Sequence, residues 1–291
     1  MAHLAKRRAE NVSGDLYVDS TCIDCDTCRW MAPEVFYSDH DKSAVFHQPA
    51  NPDERLRALQ ALLSCPTASI GTLEPPKDIK AAQQSFPIPV TEGVFHCGYH
   101  AENSYGAASY LIVRPEGNVL VDSPRFLPPL VKRLEEMGGI RYLYLTHRDD
   151  VADHQKFRDH FGCDHILHQD DITEGTRSVE LPLSGADPIV LAPDLLIIPT
   201  PGHTKGHTVL LWGDRVLFTG DHLAWDAEIR RLIAFRRACW YSWPLLGQSM
   251  KKLLDYSFEW VLPGHGRRHY APRQEMEQAL ETCIVWIEEN S

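Results

Sequence analysis

The chain has 291 residues, is 43% hydrophobic and 24% charged, and carries a formal net charge of −11. That balance fits a folded chain of one large domain or two smaller ones, and it argues against nucleic acid as a partner, because polyanion binders present a basic face. The start, MAHLAKRRAENVSGD, has basic residues with no apolar run behind them, and no stretch is long enough to span a bilayer. Neither a secretory signal nor a membrane partner is therefore expected, and a cytoplasmic location is the default.

Three of the eight cysteines crowd together as Cys22, Cys25 and Cys28; the others are Cys65, Cys97, Cys163, Cys239 and Cys283. A tight cluster in a chain without a signal reads as a metal or redox site and not as a disulfide framework. The pattern C-x2-C-x2-C, followed much later by Cys65-Pro66, lets one loop wrap three thiolates around a corner of a cubane while a fourth closes it. The stretch NPDERLRALQALLS (51–64) predicts the helix that delivers Cys65: Asn51 is a natural cap, Pro52 sits at the first turn, and Leu56, Leu59 and Leu63 share a face. A four-cysteine zinc knuckle is the alternative, but zinc sites usually pair two C-x2-C units, and three plus one favours iron–sulfur. The segment 15–73, with its phrases PEVF and CPTASI, resembles single-cluster [4Fe-4S] ferredoxins. The resemblance implies a one-electron carrier with Cys22, Cys25, Cys28 and Cys65 as ligands of one cluster.

The proline-rich stretch 74–90 reads as a linker. From Thr91 onward, over 91–291, strands and helices alternate. SYLIVRPEGNVLVDS (109–123) predicts two strands joined by a turn at 115–118. PPLVKRLEEMGG (128–139) predicts a helix with a Gly-Gly stop. RYLYL (141–145), DLLIIPT (194–200), TVLLW (208–212) and RVLFTG (215–220) predict strands, and RQEMEQALETCIVWIEE (273–289) a helix.

Directly after RYLYL stands THRDDVADH (146–154), whose crowded acids repel one another unless water or a cation compensates them. Three more segments place a His or Asp at a strand end beside glycine: TPGHTKGHT (200–208), FTGDH (218–222) and LPGHG (262–266). Glycine lets the backbone turn sharply and lets ligands approach closely. One such histidine could be a core residue; four segments in this order point to a metal site.

The order and phrases resemble the metallo-β-lactamase fold superfamily over residues 91–291. The resemblance implies a four-layer αβ/βα sandwich, so the expected fold class is α+β, a small ferredoxin-like domain followed by that sandwich. It also implies a dinuclear centre of two divalent metals, zinc or iron, held by His147, Asp153, His154, His203, Asp221 and His265. Asp221 would bridge the metals, Asp153 and Asp221 would be the catalytic acids, and Asp122 a structural acid. The usual loop is T-H-x-H-x-D-H; here the second histidine is missing and two extra residues separate His147 from Asp153. Asp149 is the expected substitute and Asp150 its alternative. A carboxylate is a harder ligand than imidazole and moves preference toward iron or manganese without excluding zinc.

His207 could support the ligands, and His222 is as well explained as a packed residue. The loop HCGYHAENSYG (96–106), with His96, Cys97, Tyr99 and His100, could border the site. RRLIAFRRACWYSWP (230–244) is either a packed connector or a rim whose arginines meet an anionic small-molecule substrate. Two functions follow by resemblance. One is metal-dependent hydrolysis of a small ester, thioester or lactone, with the ferredoxin domain as sensor, dock or relic. The other is a di-iron oxidoreductase fed by the cluster and a redox partner protein, acting on a small oxidant or a sulfur compound. A non-catalytic scaffold ranks last, because the ligand set is largely intact.

Overall fold

Asn51 caps the helix that the leucine spacing predicts. Its Oδ1 accepts the Glu54 N–H at 2.9 Å, Pro52 opens the first turn, and the helix runs Pro52–Ser64, ending directly at Cys65. A computed structural model describes residues 2–290. They form two units: one runs to Arg141 and takes in Ala152–Phe161, and the other comprises Tyr142–Val151 and everything from Gly162 onward.

The first unit opens with the cysteine-bearing segment. Leu16–Val18 pairs antiparallel with Ile70–Thr72, which closes the two ends of that segment on each other, and Phe36–Asp39 pairs with Lys42–Val45. The stretch 74–90, expected as a linker, carries the helix Ile79–Gln84 and the start of the strand Ile88–Thr91. It is tied back by Arg55, which reaches Asp78 at 3.0 Å and Asp15 at 3.1 Å, and by Gln60, which donates to Ser85 Oγ at 2.8 Å. A helix this short between prolines shows too few turns for a periodicity to be read.

An antiparallel meander follows, made of Ile88–Thr91, Val94–His96, Tyr110–Ile112 and Val119–Val121. The last two strands are the predicted hairpin, whose turn closes by the Gly117 N–H to Arg114 O at 3.2 Å. The predicted helix is Pro128–Glu136; it buries Leu130, Val131 and Leu134, and Gly139 ends it by donating to Leu134 O at 2.8 Å.

In the second unit Tyr142–Tyr144, Asp164–His168 and Leu181–Leu183 run parallel. A six-stranded sheet holds, in spatial order, Ile189–Ala192, Leu195–Pro199, Thr208–Trp212, Val216–Gly220, Trp260–Pro263 and His269–Tyr270. Its central strands are buried almost throughout, so they read in sequence as continuous apolar runs and not as alternation. The helix Arg273–Glu289 lays Met276, Leu280, Cys283 and Ile287 into a core shared with Trp243, Leu246, Met250 and Val261. Pro199 pairs with Thr208, Leu210 with Phe218, and Gly220 with Pro263, with only the Val216–Gly220 and Trp260–Pro263 pair parallel among these. That register brings the 200–207 turn and the ends of the two parallel strands to one sheet edge. Among the described residues, no helix is long and apolar enough to cross a membrane.

Candidate functional site

This sheet edge carries Asp221 directly after Gly220, His265 two residues after Pro263, and His203 within the 200–207 turn. The 146–150 turn joins them, because the Thr208 N–H donates to Thr146 O at 2.9 Å. His147, Asp149 and His203 each offer a ligand atom within 4.8 Å of the others, and so do His147, Asp150 and Asp221. Asp221 Oδ2 lies 3.8 Å from His147 Nε2 and 3.7 Å from His203 Nε2. Asp149 Oδ2 lies 3.4 Å from His203 Nε2, and Asp150 Oδ2 4.0 Å from His147 Nε2. His265 Nδ1 meets both Asp221 oxygens, at 2.8 and 2.9 Å. Gly264 makes room for the two carboxylates: a Cβ there would sit 2.6 Å from Asp150 Oδ2 and 3.1 Å from Asp221 Oδ1.

Burial pushes the His147 imidazole down to about 4; Asp221 opposes the shift and His203 adds to it. Burial works against the charge of Asp221, but His265, His147 and His203 outweigh it and hold the carboxyl well below its ordinary range. Asp149 is also lowered, since its burial is outweighed by His203 and His147. Near neutral pH the His147 imidazole is therefore uncharged and the Asp149 and Asp221 carboxylates ionised, the protonation state a divalent cation requires. His147 Nε2, His203 Nε2 and Asp149 Oδ2 are buried with no hydrogen-bond partner, as they would be if their lone pairs served a cation.

Asp153 is half-buried and His154 buried. Both belong to the first unit and to neither triad. Asp153 Oδ2 accepts the Phe126 N–H at 2.8 Å and Oδ1 meets Lys156 Nζ at 2.7 Å, at the entrance of the helix His154–Phe161. The acid that stands beside Asp221 is Asp150, while Asp149 stands beside His203. The substitution and its alternative are thus both at the centre, because a tight turn presents two successive carboxylates. Asp122 is buried in the first unit with its backbone in the left-handed region, at φ 55°.

His207 and His222 are fully buried behind the centre. His207 Nδ1 lies 2.9 Å from Thr200 Oγ1, and its ring is 5.2 Å from that of His147 and 5.6 Å from that of His222. Burial pushes His207 well down and His222 down to about 3, so both are neutral packing partners. Sequence reasoning missed Asp171. Its Oδ2 accepts the Arg148 N–H at 3.1 Å and the Thr204 hydroxyl at 2.5 Å, and its Oδ1 accepts the Gly206 N–H at 2.7 Å. One buried carboxylate thus ties the turn that carries Asp149 and Asp150 to the turn that carries His203. The only signal was an acid three residues past a strand end. In the 230–244 connector Trp243 is buried, whereas Trp240 and Tyr241 are exposed and donate their backbone N–H groups to His203 O at 2.9 and 3.1 Å.

The four predicted cluster cysteines are free thiols in the first unit. Burial raises Cys25 to about 11, opposed by Thr27 and reinforced by Cys65 and Cys22; burial also raises Cys28 well above its ordinary value. The Ser69 N–H points at Cys65 Sγ at 3.2 Å and the Ser43 N–H at Cys22 Sγ at 3.4 Å. Converging thiols with amide donors at their backs suit an anionic iron–sulfur cluster, whose iron would compensate the charge that burial resists. Asp24 and Asp26 adopt left-handed backbone (φ 62° and 63°) as the loop wraps, and Arg29 holds both at 2.6 Å.

Residues 18–72 match the model of the 4Fe-4S single cluster domain of Ferredoxin I. Similar solved structures include DIM-1 metallo-β-lactamase exposed to ceftazidime, with TM-score 0.54 and 17% identity over 70% of this chain and 96% of that one. Another is the metallo-β-lactamase FIM-1 from Pseudomonas aeruginosa in its mono-zinc form, with TM-score 0.52 and 16% identity over 68% and 93%. A third is the metallo-β-lactamase from Hirschia baltica, with TM-score 0.51 and 17% identity over 68% and 96%. Likeness at this identity is one of fold, and the chain joins a single-cluster [4Fe-4S] domain to the metallo-β-lactamase fold, the α+β fusion that its sequence resembles.

Proposed function

We propose that the chain is a metal-dependent hydrolase of a small ester, thioester or lactone with an anionic group, and that its [4Fe-4S] domain is an attached electron-transfer module. The observation that carries this reading is the pair of triads sharing His147, with one Asp221 oxygen within 3.8 Å of both His147 and His203. A neutral His147 imidazole and ionised Asp149 and Asp221 carboxylates would suit divalent ions: His147 Nε2 would serve one of them, and Asp221, with two oxygens, could serve both. Such ions supply Lewis acidity and a nucleophile at neutral pH. The residues of the chain do the rest. Thr146 Oγ1, 3.0 Å from His147 Nδ1, fixes the orientation of the shared imidazole. Asp150, buried and separated from Asp221 by a glycine, is placed to complete the second triad as a ligand. Trp240, with its ring 6.3 Å from that of His203, offers a flat wall to a substrate, and Arg236, 5.2 Å over the Trp243 ring, a cation for its anionic group.

The test is metal content of anaerobically purified protein together with a panel of esters, thioesters and lactones. About four irons and two zincs per chain, with hydrolysis abolished by Asp221→Ala, is expected. A second reading is favoured by Asp149, whose oxygen beside His203 is a harder donor than imidazole. It is a di-iron oxidoreductase acting on a small oxidant or a sulfur compound, with electrons delivered to the cluster by a partner protein. About six irons, little zinc and no hydrolysis would select it over the first.

A further inference from the structure

Neither reading uses the loop HCGYHAENSYG. In the first unit it lies against the cysteine loop. At Gly106 (φ 87°) a Cβ would sit 2.8 Å from Cys25 Cβ and 3.0 Å from Cys25 Sγ. Tyr105 donates its hydroxyl to Ile23 O at 2.5 Å. Behind them His100 is buried, with Nδ1 2.7 Å from Gly106 O and 3.0 Å from Thr27 Oγ1. Its Nε2 is 2.8 Å from Nε2 of the equally buried His96, and Thr27 Oγ1 is 3.4 Å from Cys25 Sγ.

The hydrogens can be assigned from this network. A carbonyl only accepts, so His100 Nδ1 carries a proton and shares it between Gly106 O and Thr27 Oγ1. In the neutral ring Nε2 is then bare and accepts from His96 Nε2–H. Thr27, already accepting through its oxygen, keeps its own hydrogen to donate. Gly106 O lies 3.4 Å away but already takes the shorter bond from His100, and a sulfur deprotonated by iron is the stronger acceptor. The free Cys25 thiol donates to Thr27 Oγ1, but with iron on its sulfur Cys25 could only accept, and all three links would run one way, from His96 to His100 to Thr27 to the Cys25 sulfur. The Trp30 ring, 5.1 Å from that of His96 and 6.2 Å from that of His100, covers the pair.

We propose that His96 and His100 are positioning residues of the [4Fe-4S] site: they hold the Thr27 hydroxyl as a donor to the Cys25 sulfur and so raise the reduction potential of the cluster. Reduction places an extra electron on the cluster, and a donor aimed at a ligand sulfur stabilises the reduced form more than the oxidised one. Both imidazoles lie outside 15–73, so the strand Val94–His96 and the loop after it set part of the potential of a cluster they do not ligate. This tuning would act on the cluster whichever reaction the second unit performs.

The test is a redox titration of the cluster in the full-length, anaerobically purified protein, followed by electron paramagnetic resonance of the reduced state. Thr27→Val and His100→Leu should each lower the reduced-to-oxidised ratio at a fixed applied potential about tenfold, a shift of about 59 mV for one electron. The double variant should shift no further than either single one, because both cut the same chain, and Thr27→Ser should keep the wild-type potential. Thr27→Val with four irons retained and a ratio changed less than twofold would overturn the proposal, as would fully additive shifts. If His100→Leu fails to assemble the cluster, as an iron count would reveal, the nearly isosteric pair Thr27→Val and Thr27→Ser decides alone.

Discussion

Replacing Asp171 by Asn tests whether one carboxylate holds the two ligand-bearing turns together. Asp171 is 1% exposed and receives three donors: the N–H groups of Arg148 and Gly206 and the Thr204 hydroxyl. In its better orientation Asn would keep an oxygen toward Arg148 and Thr204 and turn its NH2 toward the Gly206 N–H. One buried backbone donor then loses its acceptor, at about 1–3 kcal/mol. The two surviving bonds lose the assistance of a full charge, and charge-assisted bonds are roughly twice as strong as neutral ones. The total is about 2–4 kcal/mol of folding stability for the metal-free protein. Because the turns carry Asp149, Asp150 and His203, metal affinity should fall about 10–100-fold as well. Urea unfolding of metal-free protein measures the first quantity, and competition against a chelator the second. A loss below about 0.5 kcal/mol with unchanged affinity would mean that the turns are held by other contacts and that this account of Asp171 is wrong.

Asp149→Ala should remove about one metal per chain, and Asp150→Ala or Asp221→Ala should deplete the centre further; elemental analysis reads all three. Asp153→Ala should leave metal content intact and cost about 1 kcal/mol through the Phe126 N–H it abandons, and loss of metal would return Asp153 to the ligand set. Acid should destabilise the metal-free protein through His222, which sits at about 3 when folded against about 6.5 in an unfolded chain. The unfolded state binds more protons between those values, so this contribution is complete above pH 6.5 and declines as pH falls, by about 2 kcal/mol at pH 5. His222→Leu should flatten the slope of stability against pH in that window, and urea midpoints at pH 7 and pH 5 that differ as much as in the parent protein would rule the group out.

How much of this was legible depended on how local the determinant is. The helix at 51–64 announced itself because cap, first-turn proline and leucine face all lie within fourteen residues, and Cys65 follows directly. His203, Asp221 and His265 were legible because each ends or follows a buried strand beside glycine, so the register of the sheet carries them to one edge. The 146–154 loop was not legible in detail. The family pattern pointed to Asp153 and His154, yet the path of the loop is set by Thr208 holding Thr146 and by Asp171 holding Arg148, partners 62 and 23 residues away. Nothing in T-H-R-D-D-V-A-D-H says which acids those anchors turn toward the histidines.

At the cysteine site, too, local and distant determinants separate. Its ligands are readable because x2 spacing is a local constraint, but a cluster potential depends on donors to sulfur, and those can come from anywhere in the fold. Here the candidate donor traces back to His96 and His100, the latter 73 residues from Thr27 along the chain yet joined to it at 3.0 Å. A histidine four residues from another in a glycine-containing loop has no signature that separates packing from tuning. What separates them is direction: His100 faces a carbonyl on one nitrogen and an imidazole on the other, so its tautomer is dictated, and the hydrogen it spares at Thr27 would have a cluster-bound Cys25 sulfur as its best acceptor. At the cysteine site the candidate ligands are written in spacing, while their energetics are written in contacts that spacing does not record.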